Sequence, residues 1–225
     1  VMGLHGTFAP MGFKDGSGEI VGFDVELAKE VAERLDVEIT FQPIDWAMKE
    51  TELASGNIDM IWNGYTITEE RKEKVLFSEP YLSNSQIIVT MADSDIETKA
   101  DLAGKVVATQ QGSAAFDAII ADETGIAAEF DGGTPILYPT FNDVFNDLES
   151  GRSDAIVVDE VLGRYTMKLK GEEKFAVLTD NFGDEEYGVG LRKEDVALKE
   201  AIDATMNDMR EDGTYDEIYA KWFAE

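Results

Sequence analysis

Leu53-Ala54-Ser55-Gly56-Asn57-Ile58-Asp59-Met60-Ile61-Trp62 is echoed 95 residues later by Leu148-Glu149-Ser150-Gly151-Arg152-Ser153-Asp154-Ala155-Ile156-Val157. Each copy reads as the end of a helix, a glycine stop and a short apolar strand. Helix–glycine–strand is common punctuation, so one echo alone says little. A second echo pairs Gly6-Thr7 with Gly112-Ser113, each after an apolar strand, at an offset of 106 residues. Two echoes in the same order predict two lobes built alike. The first aligns Gly64 with Asp159, each just past the carboxyl end of its strand. Ligands of open α/β sheets bind outside those ends. Two such lobes facing each other would share one ligand between Gly64 and Asp159.

Strand and helix patterns alternate outward from the echo. In residues 23–35, Leu27, Ala28, Val31, Ala32 and Leu35 recur at helical spacing, which predicts one buried face. Val37, Ile39 and Phe41 alternate as a strand does. Residues 46–55 read as a helix stopped by Gly56, residues 58–62 and 106–109 as strands, and 195–210 and 214–223 as two closing helices. This spacing predicts an α/β fold with open, mostly parallel sheets.

Bulk composition narrows the function. The chain has 225 residues, enough for one large domain or two small ones, and 44% hydrophobic and 10% aromatic residues suit a packed core. No apolar run approaches the roughly 18 residues a membrane helix needs, which predicts no insertion of this chain into a bilayer. The formal net charge of −28 opposes binding to nucleic acid and docking on anionic lipid. Without cysteine there is no disulfide, thiol nucleophile or Cys-ligated zinc, and a lone histidine supplies neither a metal cluster nor a triad. No metal, cofactor or catalytic residue is therefore expected. The chain opens inside an apolar stretch, Val1-Met2-Gly3-Leu4, with no signal peptide, and so reads as a trimmed mature chain.

The sharpest binding signal is Asn63-Gly64-Tyr65-Thr66-Ile67-Thr68-Glu69-Glu70-Arg71. It follows a strand, has a glycine that permits close backbone approach, supplies hydroxyls, and ends in a guanidinium that can grip a carboxylate with two parallel hydrogen bonds. It also reads as Thr68 capping a short helix with Glu69 and Glu70 in its first turn, and the two readings are compatible. Gln110-Gln111-Gly112-Ser113-Ala114 follows another strand; its N–H groups either meet an anion or are capped by Ser113. Asp159 either accepts from an ammonium group or caps the helix after it. Phe8 and Trp46 read as core aromatics or as platforms for a ligand.

Taken in order over more than 200 residues, these pieces resemble the polar amino-acid-binding proteins of ABC importers, the relatives that bind glutamine, histidine, cystine or lysine/arginine/ornithine. The resemblance rests on Phe8-Ala9-Pro10-Met11-Gly12-Phe13, Val21-Gly22-Phe23-Asp24-Val25-Glu26-Leu27-Ala28, Ile44-Asp45-Trp46, Gly64 through Arg71, and Phe77-Ser78-Glu79-Pro80-Tyr81. It continues with Leu102-Ala103-Gly104-Lys105-Val106, Gln111-Gly112-Ser113, Asp154 through Glu160, Tyr187-Gly188-Val189-Gly190-Leu191-Arg192-Lys193 and Asp212-Gly213-Thr214-Tyr215. It implies the type II periplasmic-binding-protein fold: two open mixed sheets flanked by helices, two hinge strands, a first lobe of residues 1–85 and 186–225, a second of 86–185, and a cleft that closes on ligand. It also implies roles. Arg71 is the α-carboxylate clamp, with Thr66, the Gly64 backbone and the N–H groups of Ser113 and Ala114 beside it. Asp159 is the α-ammonium acceptor, and Phe8 and Trp46 sandwich the side chain.

Where relatives that bind basic amino acids often carry an aspartate in the first strand, this chain has His5. With Asn63, Gln110 and Val158 shaping the same end, this favours an uncharged or weakly basic ligand: glutamine, histidine or cystine. The expected setting is a monomer exported to the periplasm, or lipid-anchored outside the cytoplasmic membrane, that serves a membrane permease and does no chemistry. The alternatives are a cyclohexadienyl-dehydratase-like lyase on the same fold, and the sensing domain of a membrane receptor.

Overall fold

Both copies of the echo fold into the same local unit. The helices Lys49–Ala54 and Phe141–Glu149 each end one residue before a serine and glycine, and Gly56 and Gly151 take φ of 79° and 71°, the left-handed turn that glycine makes without strain. The chain then enters the strands Met60–Ile61 and Ala155–Asp159. The structure, a computed structural model, describes residues 1–223.

The chain forms two compact units: Val1–Leu82 with the segment from Glu186 onward, and Ser83–Glu185. In the first, a five-stranded sheet runs Phe41–Pro43, Met2–Leu4, Met60–Ile61, Gly190–Leu191, Leu76–Phe77. Met2–Leu4 is parallel to both neighbours, whereas Gly190–Leu191 is antiparallel to both of its own. In the second, the order is Ile136–Tyr138, Val107–Gln110, Ala155–Asp159, Leu82–Met91, Phe175–Tyr187. Val107–Gln110 is parallel to both neighbours, and Ala155–Asp159 is antiparallel to Leu82–Met91. Each sheet thus has one central strand that recruits first an edge strand and then the echo strand, through helical crossovers. This shared topology is the physical content of the repeat. The α/β class with mixed sheets flanked by helices matches the expectation. The first unit adds a small sheet of Thr7–Phe8, Gly12–Lys14 and Ile20–Val21 that periodicity did not reveal.

Some boundaries differ from the sequence pattern. The strand expected from Val37 onward is confined to Phe41–Pro43; Val37 is 58% exposed, and Asp36 before it has φ of 52°. Alternation alone made no strand there because only 41–43 find partners on Met2–Leu4. The strand expected over 58–62 shortens to Met60–Ile61, the two residues in register with Gly190–Leu191. The helix expected from Trp46 starts as a 3₁₀ turn, Trp46–Met48, with the Asp45 carboxylate accepting from Ala47 N–H at 3.0 Å.

Helix Phe23–Arg34 buries Phe23, Asp24, Leu27, Ala28 and Val31 on one face. Tyr81, Tyr215, Tyr219 and Phe223 surround the Phe23 ring, which ties the closing helices Val196–Glu211 and Thr214–Phe223 to this unit. In the second unit, Phe141, Val144, Phe145 and Leu148 fill the core from one helix face. No helix among the described residues is long and apolar enough to cross a membrane.

Candidate functional site

In the first unit the candidate residues gather at the end of the Met60–Ile61 strand. Gly64 has φ of +57°, and a Cβ added there would lie 2.6 Å from Phe8 Cε1 and 3.2 Å from Tyr187 Cζ. The Phe8 ring therefore closes over the bare Gly64 backbone. Gly64→Ala should lower the melting temperature by several degrees and weaken ligand binding, because the side chain would add strain of about 1–2 kcal/mol to an aromatic clash. A thermal unfolding curve superimposable on wild type would show that this close approach is dispensable.

The Gly64 N–H donates to Asp24 Oδ2 at 2.7 Å, and Tyr81 Oη donates to the same oxygen at 2.9 Å. Burial pushes the Asp24 carboxyl up to about 7, against the Gly64 and Tyr81 hydrogen bonds, which favour its charged form. The Trp62 indole N–H approaches the carboxyl and acts in the same sense. It falls outside hydrogen-bond geometry, since Asp24 Oδ1 and Trp62 Nε1 are both buried without a partner. In the sequence Asp24 stands only within the segment Val21 through Ala28 that carries the family resemblance, with no role of its own assigned. Its phase was the missed signal, because it sits three, four and seven residues before the apolar Leu27, Ala28 and Val31.

Thr68 caps helix Glu69–Lys74, its hydroxyl accepting from the Arg71 N–H at 3.1 Å. The capping reading of this segment is therefore right, and it places Arg71 one turn in. The Arg71 side chain is 4% exposed, its Nη1 donates to Thr66 O at 3.0 Å, and the guanidinium lies 4.8 Å from the Tyr65 ring centre. Thr66 is itself buried and bridges to Tyr187. A second buried cation, Lys49, donates to Trp46 O at 3.2 Å and lies 6.0 Å from the same Tyr65 ring.

Three candidates have structural duties as well. Asn63 accepts from the His5 N–H at 2.7 Å and donates to Gly12 O at 3.4 Å, so both ends of its amide brace the loops. The His5 ring Nδ1 is 2.8 Å from Thr7 Oγ1. Trp46 belongs to the core cluster of Leu53, Ile58, Ile61, Tyr65, Val75 and Phe77 and meets Tyr65 edge-on.

In the second unit the candidates lie at the carboxyl ends of two adjacent parallel strands. Ser113 caps helix Ala114–Ala121: its hydroxyl accepts from Phe116 N–H at 3.2 Å and donates to Gln110 O at 2.7 Å. The Ser113 N–H makes a long 3.4 Å turn contact with Gln110 O, while the Gln110 side chain donates to Pro139 O at 2.9 Å. Asp159 ends the neighbouring strand, 3% exposed, and makes no cap bond to the helix that follows. Its Oδ1 instead accepts from Asn84 Nδ2 at 2.8 Å and Gln86 Nε2 at 3.0 Å. Neither amide, nor Glu185, which receives the same two donors at 2.7 and 2.8 Å, stood out in the sequence.

Among the described residues no group of three or more His, Asp or Glu could hold a metal ion. The arrangement offers a buried guanidinium in one unit and a buried, amide-held carboxylate in the other.

The model of the bacterial extracellular solute-binding proteins, family 3, matches residues 1–225. The L-cystine-binding protein TcyJ of Escherichia coli (strain K12) is 34% identical over 225 residues, covering 99% of this chain and 82% of that protein. A substrate-binding protein of an ABC uptake transporter from Streptococcus pneumoniae, solved with bound histidine, is 38% identical with a TM-score of 0.97, over 100% of this chain and 92% of the other. An ancestral arginine-binding protein bound to glutamine is 39% identical with a TM-score of 0.90, over 100% and 97%.

Proposed function

The chain belongs to the bacterial extracellular solute-binding proteins, family 3, and from that premise we propose that it captures one free polar L-amino acid outside the cytoplasm and delivers it to the membrane permease of an ABC importer. The observation that carries this reading is the pair of buried opposite charges, Arg71 and Asp159. A free amino acid carries both charges near neutral pH, and removing them from water is costly unless each is matched. Arg71, with the Thr66 and Gly64 backbone and the N–H groups of Ser113 and Ala114, takes the α-carboxylate. Asp159 takes the α-ammonium. Closure of the two lobes on the ligand completes the pairing.

At the side-chain end, Phe8 and Trp46 supply apolar surface, and His5, Asn63 and Gln110 supply polarity. His5 stands where a carboxylate would draw a cationic side chain, so glutamine, histidine or cystine is preferred to lysine. The relatives matched are themselves described as binding proteins for cystine, for histidine and for lysine, arginine and ornithine, which supports binding without chemistry. Incubation with arogenate or prephenate should accordingly release no aromatic product. The protein works as an exported monomer, either lipid-anchored or free in the periplasm.

A thermal-shift screen of the twenty amino acids and cystine, on protein stripped of ligand by unfolding and refolding, tests the function. A ligand at 100 times its Kd adds about 2.7 kcal/mol of stability, so one amino acid or a few should raise the melting temperature clearly. A flat screen would defeat the reading.

A further inference from the structure

Four side chains of the Ser83–Glu185 unit form a closed ring. Asn84 Nδ2 donates to Asp159 Oδ1 at 2.8 Å and to Glu185 Oε1 at 2.7 Å. Gln86 Nε2 donates to the same two oxygens, at 3.0 and 2.8 Å. Each amide NH2 group has two N–H bonds, and directs one to either carboxylate. Asn84 Oδ1 accepts from the Val161 N–H at 3.2 Å, which fixes the amide from behind. Gln86 is fully buried and its Oε1 has no partner. Turning the Gln86 amide over would set that oxygen against two carboxylates, so the acidic pair dictates its orientation even though its carbonyl is left unpaired.

We infer that Glu185 is a positioning residue for ligand recognition: by accepting from Asn84 and Gln86 it aims both amides at Asp159 and holds that carboxylate in place for the ligand's ammonium group. This rests on the proposed role of Asp159. The ring also has a mechanical consequence. Asn84 and Glu185 each lie within two residues of where the chain leaves one compact unit for the other, at 82–83 and 185–186. Asp159 accepts directly from Asn84 and Gln86 on one connecting strand, and those two amides reach Glu185 on the other, so under its proposed role the carboxylate is tied to both strands.

Glu185→Ala, Glu185→Gln, Asp159→Asn and the double variant Glu185→Ala/Asp159→Asn are titrated by calorimetry with the amino acid giving the largest thermal shift on wild type, with ligand-detected NMR for the weaker variants. Losing the acceptor should weaken binding by at least about 10-fold, as expected for hydrogen bonds to a charged group. Glu185→Gln keeps an oxygen for the same two N–H groups, so that variant should remain within about 3-fold of wild type. The alanine effect should vanish in the Asp159→Asn background, because the two residues act as one unit. The side-chain NH2 resonances of Asn84 and Gln86 should be held in wild type and Glu185→Gln and averaged in Glu185→Ala.

Wild-type affinity in Glu185→Ala would overturn the inference. So would an equal loss in the glutamine variant, which would mean that charge acts directly, or an undiminished loss without Asp159. If the wild-type protein binds no amino acid in the thermal-shift screen, the proposed function fails and the inference with it. If wild type binds and Asp159→Asn weakens it while Glu185→Ala does not, only the ring is wrong.

Discussion

Replacing Arg71 by alanine, or Asp159 by alanine, is expected to weaken amino-acid binding by at least about 100-fold. Each variant strands one charge of a zwitterion that has left water, and such broken pairs cost about 3–5 kcal/mol, mostly through the charge left behind. The Arg71 guanidinium donates to Thr66 O at 3.0 Å and lies 4.8 Å from the Tyr65 ring centre, contacts that would orient its fork before ligand arrives under the proposed role. Arg71→Lys keeps the charge but not the planar fork, and should fall between wild type and alanine. Asp159→Asn keeps shape and loses charge, which separates electrostatics from packing. Calorimetry on ligand-stripped protein, with the amino acid giving the largest thermal shift, makes the measurement. Near-wild-type affinity in both alanine variants would remove the assignment.

The second large effect concerns stability rather than affinity. Asp24 is raised to about 7 by burial, whereas its ordinary value is 3.8. Between those values the folded protein keeps a proton that the unfolded chain gives up, so stability from this group is complete below about pH 4. It is lost as pH rises through about 7 and changes no further above that. From pH 5 to pH 8 the loss is on the order of 3 kcal/mol, about two pH units at 1.36 kcal/mol each. The net charge of −28 also makes the chain repel itself more as acids ionise, so the wild-type curve alone mixes two causes. Asp24→Asn separates them, because it removes one titrating group and leaves the repulsion nearly unchanged. Urea unfolding of both proteins at pH 5 and pH 8 should show the wild type losing more stability than the variant by about that amount. Parallel losses would mean that Asp24 stays ionised throughout, carried by the Gly64 N–H and the Tyr81 hydroxyl.

Much of the architecture is legible in the sequence. The helix at residues 23–35, the glycine stops at 56 and 151, and the two closing helices came from local signals: apolar phase along a helix and the φ > 0 that follows it. Strand lengths were not legible. Alternation at Val37, Ile39 and Phe41 satisfied a strand pattern, but a strand also needs a neighbour in register, and Met2–Leu4 supplies one only to 41–43. The candidate site divides in the same way. Gly64 and Asp159 were marked as candidates because each lies at or just past the carboxyl end of a strand, and Arg71 because it closes the segment that follows the first of those strands. Asn84, Gln86 and Glu185 lie along strands, among residues of ordinary polarity, and nothing local marks them.

The sequence by itself determined the doubled strand–helix plan and the chain's place among amino-acid-binding relatives, and it marked Arg71 and Asp159 as candidate charges for a ligand, because these are written in short-range spacing and in the order of short segments. Tertiary structure alone decided the surroundings of the acidic residues that no local pattern marks, Asp24 and Glu185 among the 47. Asp24 becomes a buried strut by accepting from an N–H 40 positions away, and Glu185 becomes a partner of Asp159 through an amide 101 positions away. Burial and hydrogen-bond partnership depend on what folding brings together across the chain, so the same carboxylate can be a solvated surface charge or a working part without any change in its neighbours in sequence.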